Sequence, residues 1–241
     1  MKYMNYFDLH INSEFSEGES SIEQIAKRAK LLGYKGFCIV ENYKMKNNIE
    51  KLKKEISEIS KKEKIEILLG FEATNEKELN KLREIRKEYD ILVAKGGNPN
   101  FNRKAVETKE VDILSHPEKD SKKDSGFNHI MAKLARKNNV AIEINFREIM
   151  QCYKKSRVSV LHKIQSNVKI CKKYKCPLIL TSGALSHLHI KDPIVLTSMG
   201  TMLELNLNDS KKTLSDIPKQ IIESSKKKQN KKWIMPGVEL E

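Results

Sequence analysis

Cysteine is sparse and unpatterned in this 241-residue sequence. Cys38, Cys152, Cys171 and Cys176 form no Cys-x-x-Cys pair and have no histidine at zinc spacing. That excludes a disulfide scaffold and a structural zinc site and leaves reduced thiols. Aromatic residues reach only 6%, too few for stacked single-strand readers of the RRM kind. No apolar run approaches the roughly 18 residues of a membrane span. The segment MKYMNYFDLH lacks the apolar core of a secretory signal, so a cytoplasmic location is expected. Arginine is scarce, 7 residues against 39 lysines. The most informative shortage is of acid in the second half. Residues 1–120 hold 23 Lys+Arg and 22 Asp+Glu, a net +1, whereas 121–241 hold 23 and 10, a net +13, together the +14 of the chain. A merely solvated surface interleaves both signs, as the first half does. The second half points to a polyanionic partner.

What is present is a regular alternation. Apolar runs rich in β-branched residues recur at YFDLHI (6–11), GFCIVEN (36–42), IEILLGFEA (65–73), DILVAKGG (90–97), DILSHP (112–117), AIEINF (141–146) and PLILTSGA (177–184). Helical-period segments separate them, such as SSIEQIAKRAKLLG with Ser21 and Gln24 as a capping box and Gly33 as its stop. Others are FNHIMAKLARKNN (127–139) and VSVLHKIQSNVKICKKYK (158–175). Seven βα units in a row predict an α/β fold, an incomplete or distorted TIM-like (β/α) barrel of about seven parallel strands with extra helices. The expected division is one barrel domain over 1–223 and a basic C-terminal tail over 224–241, opened by SSKKKQNKK (224–232). WIM (233–235) is a candidate for a strand that closes the sheet.

Chemistry in such barrels gathers at the carboxyl ends of the strands. Those ends carry His10 and Asn12, Glu41 and Asn42, Glu72, Lys95, His116, Asn145 and Arg147, and Ser182. For any one of them, capping the next helix is the commoner role. Seven strands ending this way, with two His and two Glu, favour a site or the remnant of one.

The stretch DLHINSEFSEG (8–18) resembles the opening motif of the polymerase and histidinol phosphatase superfamily, which places metal-binding histidines in a seven-stranded barrel. The second histidine of that motif is Asn12 here, Glu41-Asn42-Tyr43 stands where Thr-Asp-His is expected, and Gly183-Ala184 replaces a late Asp-x-His. His10, Glu72 and His116 remain, too few for a multi-metal hydrolase. A single weak ion on His10, Glu72 and Glu41 stays open. The ordered set DLH, GFE (70–72), NRKAVE (102–107), VDILSHP (111–117), KNNVAIEINF (137–146) and TSGA (181–184) is similar to the ribonuclease P protein component 3 family of archaea and eukaryotes. That resemblance implies an RNA-binding subunit that assists the Mg²⁺-using RNA in 5′-end maturation of precursor tRNA. It also implies contact with protein component 2 and other ribonuclease P proteins, and no tightly bound cofactor of its own. The alternative is a stand-alone metal-dependent phosphoesterase of the wider superfamily, which would need ligands at 12, 42 and 183. A sugar-phosphate or amidohydrolase-like barrel enzyme shares the fold but lacks a catalytic constellation.

The lysine-rich stretches sort into two kinds. Lys51, Lys53, Lys54, Lys61, Lys62 and Lys64 interleave with Glu50, Glu55, Glu58 and Glu63 as a paired helix face. By contrast, Lys154, Lys155 and Arg157 in CYKKSRVSVLHKI, and Lys172, Lys173 and Lys175 in CKKYKC, have no acid among them. These six, with Lys95, Arg103, His116 and Arg147, are the candidate RNA contacts. Arg103 has a competing role, an i,i+4 pair with Glu107. If Lys154, Lys155 and Arg157 each meet a phosphate, replacing all three lowers the log–log salt slope of RNA binding by roughly 2 to 3. Replacing Lys53, Lys54 and Lys61 leaves the slope nearly unchanged. Equal effects from the two triplets would show that the location of the charge is irrelevant.

Overall fold

The computed structural model describes residues 4–119, 125–229, 233–235 and 238–239. The seven apolar runs form β1 (Tyr6–Ile11), β2 (Tyr34–Asn42), β3 (Glu66–Ala73), β4 (Ile91–Lys95), β5 (Ile113–Ser115), β6 (Ala141–Asn145) and β7 (Leu178–Thr181), paired in chain order. Every neighbouring pair is parallel. Between and after them lie α1 (Ile22–Leu31), α2 (Ile49–Glu63), α3 (Glu76–Glu84), α4 (Pro99–Glu107), α5 (His129–Asn138), α6 (Phe146–Gln151), α7 (Lys154–Tyr174), α8 (Pro193–Met202), α9 (Leu207–Lys212) and α10 (Asp216–Lys228). The capping box at Ser21 and Gln24 forms as its spacing predicts.

The pleat sorts each strand into two cores. Leu9, Val40, Leu68, Ile91, Val93, Ile113 and Ile179 pack in the lumen. Ile39, Leu69, Phe71, Leu92, Leu114 and Ile142 pack outward against the helices. The ring is nearly closed. β1 meets β7 through the single bridge Ile11↔Ala184. Nearer the amino ends, Phe7 N donates to Leu214 O (2.8 Å) and Leu180 N to Thr213 O (3.4 Å), so residues 213–214 stand where an eighth strand would.

Two expectations about the end of the chain are corrected. Residues 224–228 do not begin a tail but complete α10, whose Ile221 and Ile222 plug the amino-terminal end of the lumen. Lys228 is buried there, its Nζ 2.6 Å from Asp112 Oδ1, and Arg86 reaches Asp112 Oδ2 from the other side at 2.6 Å. WIM does not close the barrel. It forms β8 (Trp233–Met235), antiparallel to β9 (Val238–Glu239) in a sheet of its own. The other tail positions, 230–232, 236–237 and 240–241, lie outside the described residues.

A buried carboxylate shared by two buried cations is costly to leave unpaired on either side. Asp112 also accepts from Leu92 N (2.8 Å) and so fixes the start of β4. Asp112→Asn is expected to cost about 3–5 kcal/mol of unfolding free energy, read from the urea midpoint. A change near zero would mean that water, not Asp112, satisfies the two cations.

Candidate functional site

At the carboxyl ends the lumen turns polar. By the pleat, Glu72, Lys95, Ser115, Glu143, Asn145 and Thr181 follow the lumenal residues of their strands, and His10 joins them from β1. Glu143 is the hub. Its Oε1 lies 2.8 Å from His10 Nδ1 and accepts from Thr181 Oγ1 and from Asn145 Nδ2 (3.1 Å). His10 Nε2 faces Glu72 Oε1 at 3.9 Å, and Ser115 Oγ donates to the same oxygen at 3.1 Å. Lys95 Nζ sits 2.9 Å from Glu72 Oε2.

Burial opposes a charged imidazole at His10, but the Glu143 carboxylate, by charge and hydrogen bond, and then Glu72 outweigh it and raise its pKa. Burial likewise opposes ionisation of Glu143, yet His10 and the donors around it hold the carboxyl down at about 2. Each shift favours the charged form of its group. His116 is the opposite case. Its ring stands edge-on to His10, 5.9 Å between centroids, and burial lowers its pKa to about 3, so it is neutral. Its Nδ1 is 3.3 Å from Glu148 Oε1 without hydrogen-bond alignment, and neither ring nitrogen is bonded.

Ligand atoms of His10, Glu72 and His116 lie within 4.8 Å of one another, a set that three of the sequence candidates make together. His10 even has the carboxylate-backed Nδ1 of a metal-ligating histidine. The rest of the surroundings do not fit a resident multi-metal cluster. The Lys95 ammonium already pairs with Glu72 at 2.9 Å. Asn12 spends its Nδ2 on Val40 O (2.8 Å) and retains only an amide oxygen. Gly183, at φ +59°, offers no ligand, and a Cβ there would fall 2.1 Å from Asn145 Oδ1.

Other sequence candidates fall elsewhere. Glu41 is not in this cluster. It lies on the outward pleat of β2 with Phe37 and Ile39, and accepts from Ser13 Oγ in the loop after β1, so it cannot complete a weak ion site with His10. Asn42 caps the next turn through Lys44 N (3.0 Å). Ser182 N donates to Asp8, whose burial raises its carboxyl to about 6. His116 is fully buried and so presents no surface to RNA, contrary to its place among the contacts. Arg103 is exposed on α4 and pairs with Glu107 at 2.9 Å, the competing role foreseen for it. Arg147 begins α6 beside the site, its Nε buried without a partner.

The two acid-free lysine clusters part company. Lys154, Lys155 and Arg157 open α7, and Lys172, Lys173 and Lys175 close it, roughly 27 Å away at 1.5 Å per residue. Lys172 Nζ is held by Glu204 O at 2.6 Å. Sequence reading missed Glu143, although its spacing of two from Asn145 along a strand was the available signal. It also missed what Asn102 does in NRKAVE. Its amide donates to Pro117 O (2.9 Å) and Gly126 O (2.7 Å) and accepts from Gly97 N (3.0 Å), clamping the loops after β4 and β5.

Fold and site together define a seven-stranded (β/α) barrel whose mouth holds a buried His/carboxylate cluster with a lysine paired to it. The sequence profile of the RNase P subunit p30 family matches residues 5–230. The chain is 30% identical to ribonuclease P protein component 3 of Methanosarcina barkeri over 209 residues, 86% of this chain and 84% of that protein. It is 32% identical over 221 residues to the same component of Methanococcus maripaludis, covering 90% and 93%. Among solved structures, a chain of an archaeal ribonuclease P with mature tRNA superposes with TM-score 0.78 at 26% identity, covering 96% of this chain and 97% of that one. The chain belongs to the RNase P subunit p30 family, the protein subunits of an endoribonuclease complex.

The His10–Glu143 pair generates a test of the site's electrostatics. A raised imidazole pKa contributes stability below its unfolded value near 6.5 that is lost as pH rises through the folded pKa. A lowered carboxyl contributes above its unfolded value near 4.5 that is lost as pH falls toward 2. Glu143→Gln is thus expected to destabilise by about 3–5 kcal/mol between pH 4.5 and 6.5, and by less at pH 3 or 9. Denaturant midpoints across that range check it, and a loss independent of pH would mean the pair is not ionic.

Proposed function

We propose that this subunit is itself non-catalytic, and that it serves the ribonuclease P RNA by binding it and by docking protein component 2 and other ribonuclease P proteins. One observation carries the reading: a lysine ammonium pairs at 2.9 Å with Glu72, the one carboxylate of the only His/carboxylate ligand set among the described residues. A hydrolase that needs two metals at the scissile phosphate keeps that carboxylate for an ion. Here the mouth offers cations instead, which suit phosphates and spoil a metal site. On this reading the Mg²⁺ of the reaction belongs to the RNA subunit, and precursor tRNA reaches the chain as part of the complex. Lys154, Lys155, Arg157 and Arg147 are the contacts this reading favours, being at or near the mouth.

The phosphoesterase alternative has no support at positions 12, 42 or 183. Purified chain is expected to leave precursor tRNA uncut in Mg²⁺ or Mn²⁺ and to carry no stoichiometric transition metal by elemental analysis. Added with component 2 to the cognate RNA, it is expected to raise cleavage most at low Mg²⁺, where phosphate repulsion is least screened. Cleavage by RNA-free protein that disappears in His10→Ala, with two or more ions bound per chain, would overturn the reading.

A further inference from the structure

Beside the strand-end cluster lies a cavity of about 260 Å³. Phe146 and Met150 form its apolar wall, the backbone turn Ser182–Ala184 also lines it, Gln151 adds an amide, and its basic residue types are Arg147, Lys191 and His189. No Asp or Glu lines it. Among the described residues none of these three side chains is ion-paired to a carboxylate, whereas lysines of the first half such as Lys27, Lys53, Lys62, Lys81 and Lys104 each pair with one. Lys191 Nζ instead lies 5.8 Å from the centre of the Phe146 ring, and Arg147 Nε is buried without an acceptor.

Cations held together in a half-enclosed, acid-free space repel one another, and an anion relieves the repulsion. Arginine's planar fork matches a phosphate better than a point charge does, and this chain spends one of its few arginines here. The remaining wall is apolar and asks for a flat, uncharged body beside that phosphate. The volume is just below the 300–1,000 Å³ usual for small-molecule pockets, room for one base and its phosphate rather than a run of them. Gly183 keeps the cavity open, because a side chain there would collide with Asn145.

We propose that this cavity holds one unpaired ribonucleotide of a folded RNA, its phosphate on Arg147 and Lys191 and its base against Phe146 and Met150. The proposal rests on the RNA-binding reading above and adds a specificity to it. Backbone charge alone binds any RNA, whereas this cavity selects a base that has left its helix, as sequence- and shape-selective RNA recognition generally does.

The test needs the full chain and three labelled hairpins: one fully paired, one with a single bulged adenosine, and one with an abasic residue at the bulge. By fluorescence anisotropy the wild type is expected to bind the bulged hairpin about tenfold more tightly than the other two, the contribution of one base contact. Arg147→Gln with Lys191→Gln is expected to weaken all three hairpins through the shared loss of two charges and to bring the ratio of bulged to paired affinity down to one. Met150→Ser, at an exposed side chain, is expected to reduce the preference without adding a charge beside the cations. Equal binding of all three hairpins by the wild type would overturn the cavity proposal and leave the RNA-binding reading intact. Failure to bind any of them, or the ribonuclease P RNA itself, would overturn both.

Discussion

A carboxylate in the middle of a barrel is expensive, and the arrangement around Glu143 shows what it is for. Below it the lumen is filled with Leu9, Val40, Ile113 and Ile179, so an isolated charge there would cost several kcal/mol. The His10 imidazolium, Thr181 and Asn145 answer it from β1, β7 and β6. Those strands flank the weakest seam of the ring, where backbone pairing between β1 and β7 shrinks to one bridge. Side-chain bonds through Glu143 thus tie together what an eighth strand would otherwise join, and the polar mouth is a condition of a seven-stranded closure.

The same need for partners governs the His/carboxylate cluster. His10 is held by Glu143, Glu72 by Lys95 and Ser115, and His116 by the packing of a fully enclosed ring against His10. Positions 12 and 183 carry an amide and a glycine. One ammonium balances the one carboxylate of the cluster, where a set of divalent ions needs several anionic ligands.

The strands were legible because each is a β-branched run bounded by turn residues, and burial on both faces leaves little room for ambiguity. The end of the chain was not, since SSKKK reads as solvated by composition. Only the fold brings Asp112, far away in sequence, against Lys228 and turns a charge run into a plug. Glu41 was misjudged for a simpler reason: a strand-end position names a height along the barrel, and the pleat decides which side the residue faces. Lys191 and His189 left no mark in the sequence at all, being two isolated side chains in a loop whose neighbours across the cavity come from α6.

The two ends of α7 bear differently on RNA binding. A helix linking β6 to β7 in a parallel sheet must run back against the strands, so Lys154, Lys155 and Arg157 lie at the mouth and Lys172, Lys173 and Lys175 at the plugged end. A separation of roughly 27 Å is about three Debye lengths at physiological salt, so neither cluster strengthens the field of the other. The mouth cluster stands at the same end as Arg147 and Lys191, with Arg157 Nε on Cys152 O at 2.9 Å and Lys154 Nζ 5.3 Å from the centre of the Tyr153 ring. The far cluster has Lys172 tied to a backbone carbonyl and Lys173 over the Tyr174 ring, at 5.8 Å from its centre. The far cavity, about 400 Å³ and lined by Lys172, Lys175 and Lys212, also holds Asp209, whereas no acid lines the cavity at the mouth. The excess positive charge of the second half is therefore split between the two ends of one helix, and only the end at the mouth borders an acid-free space.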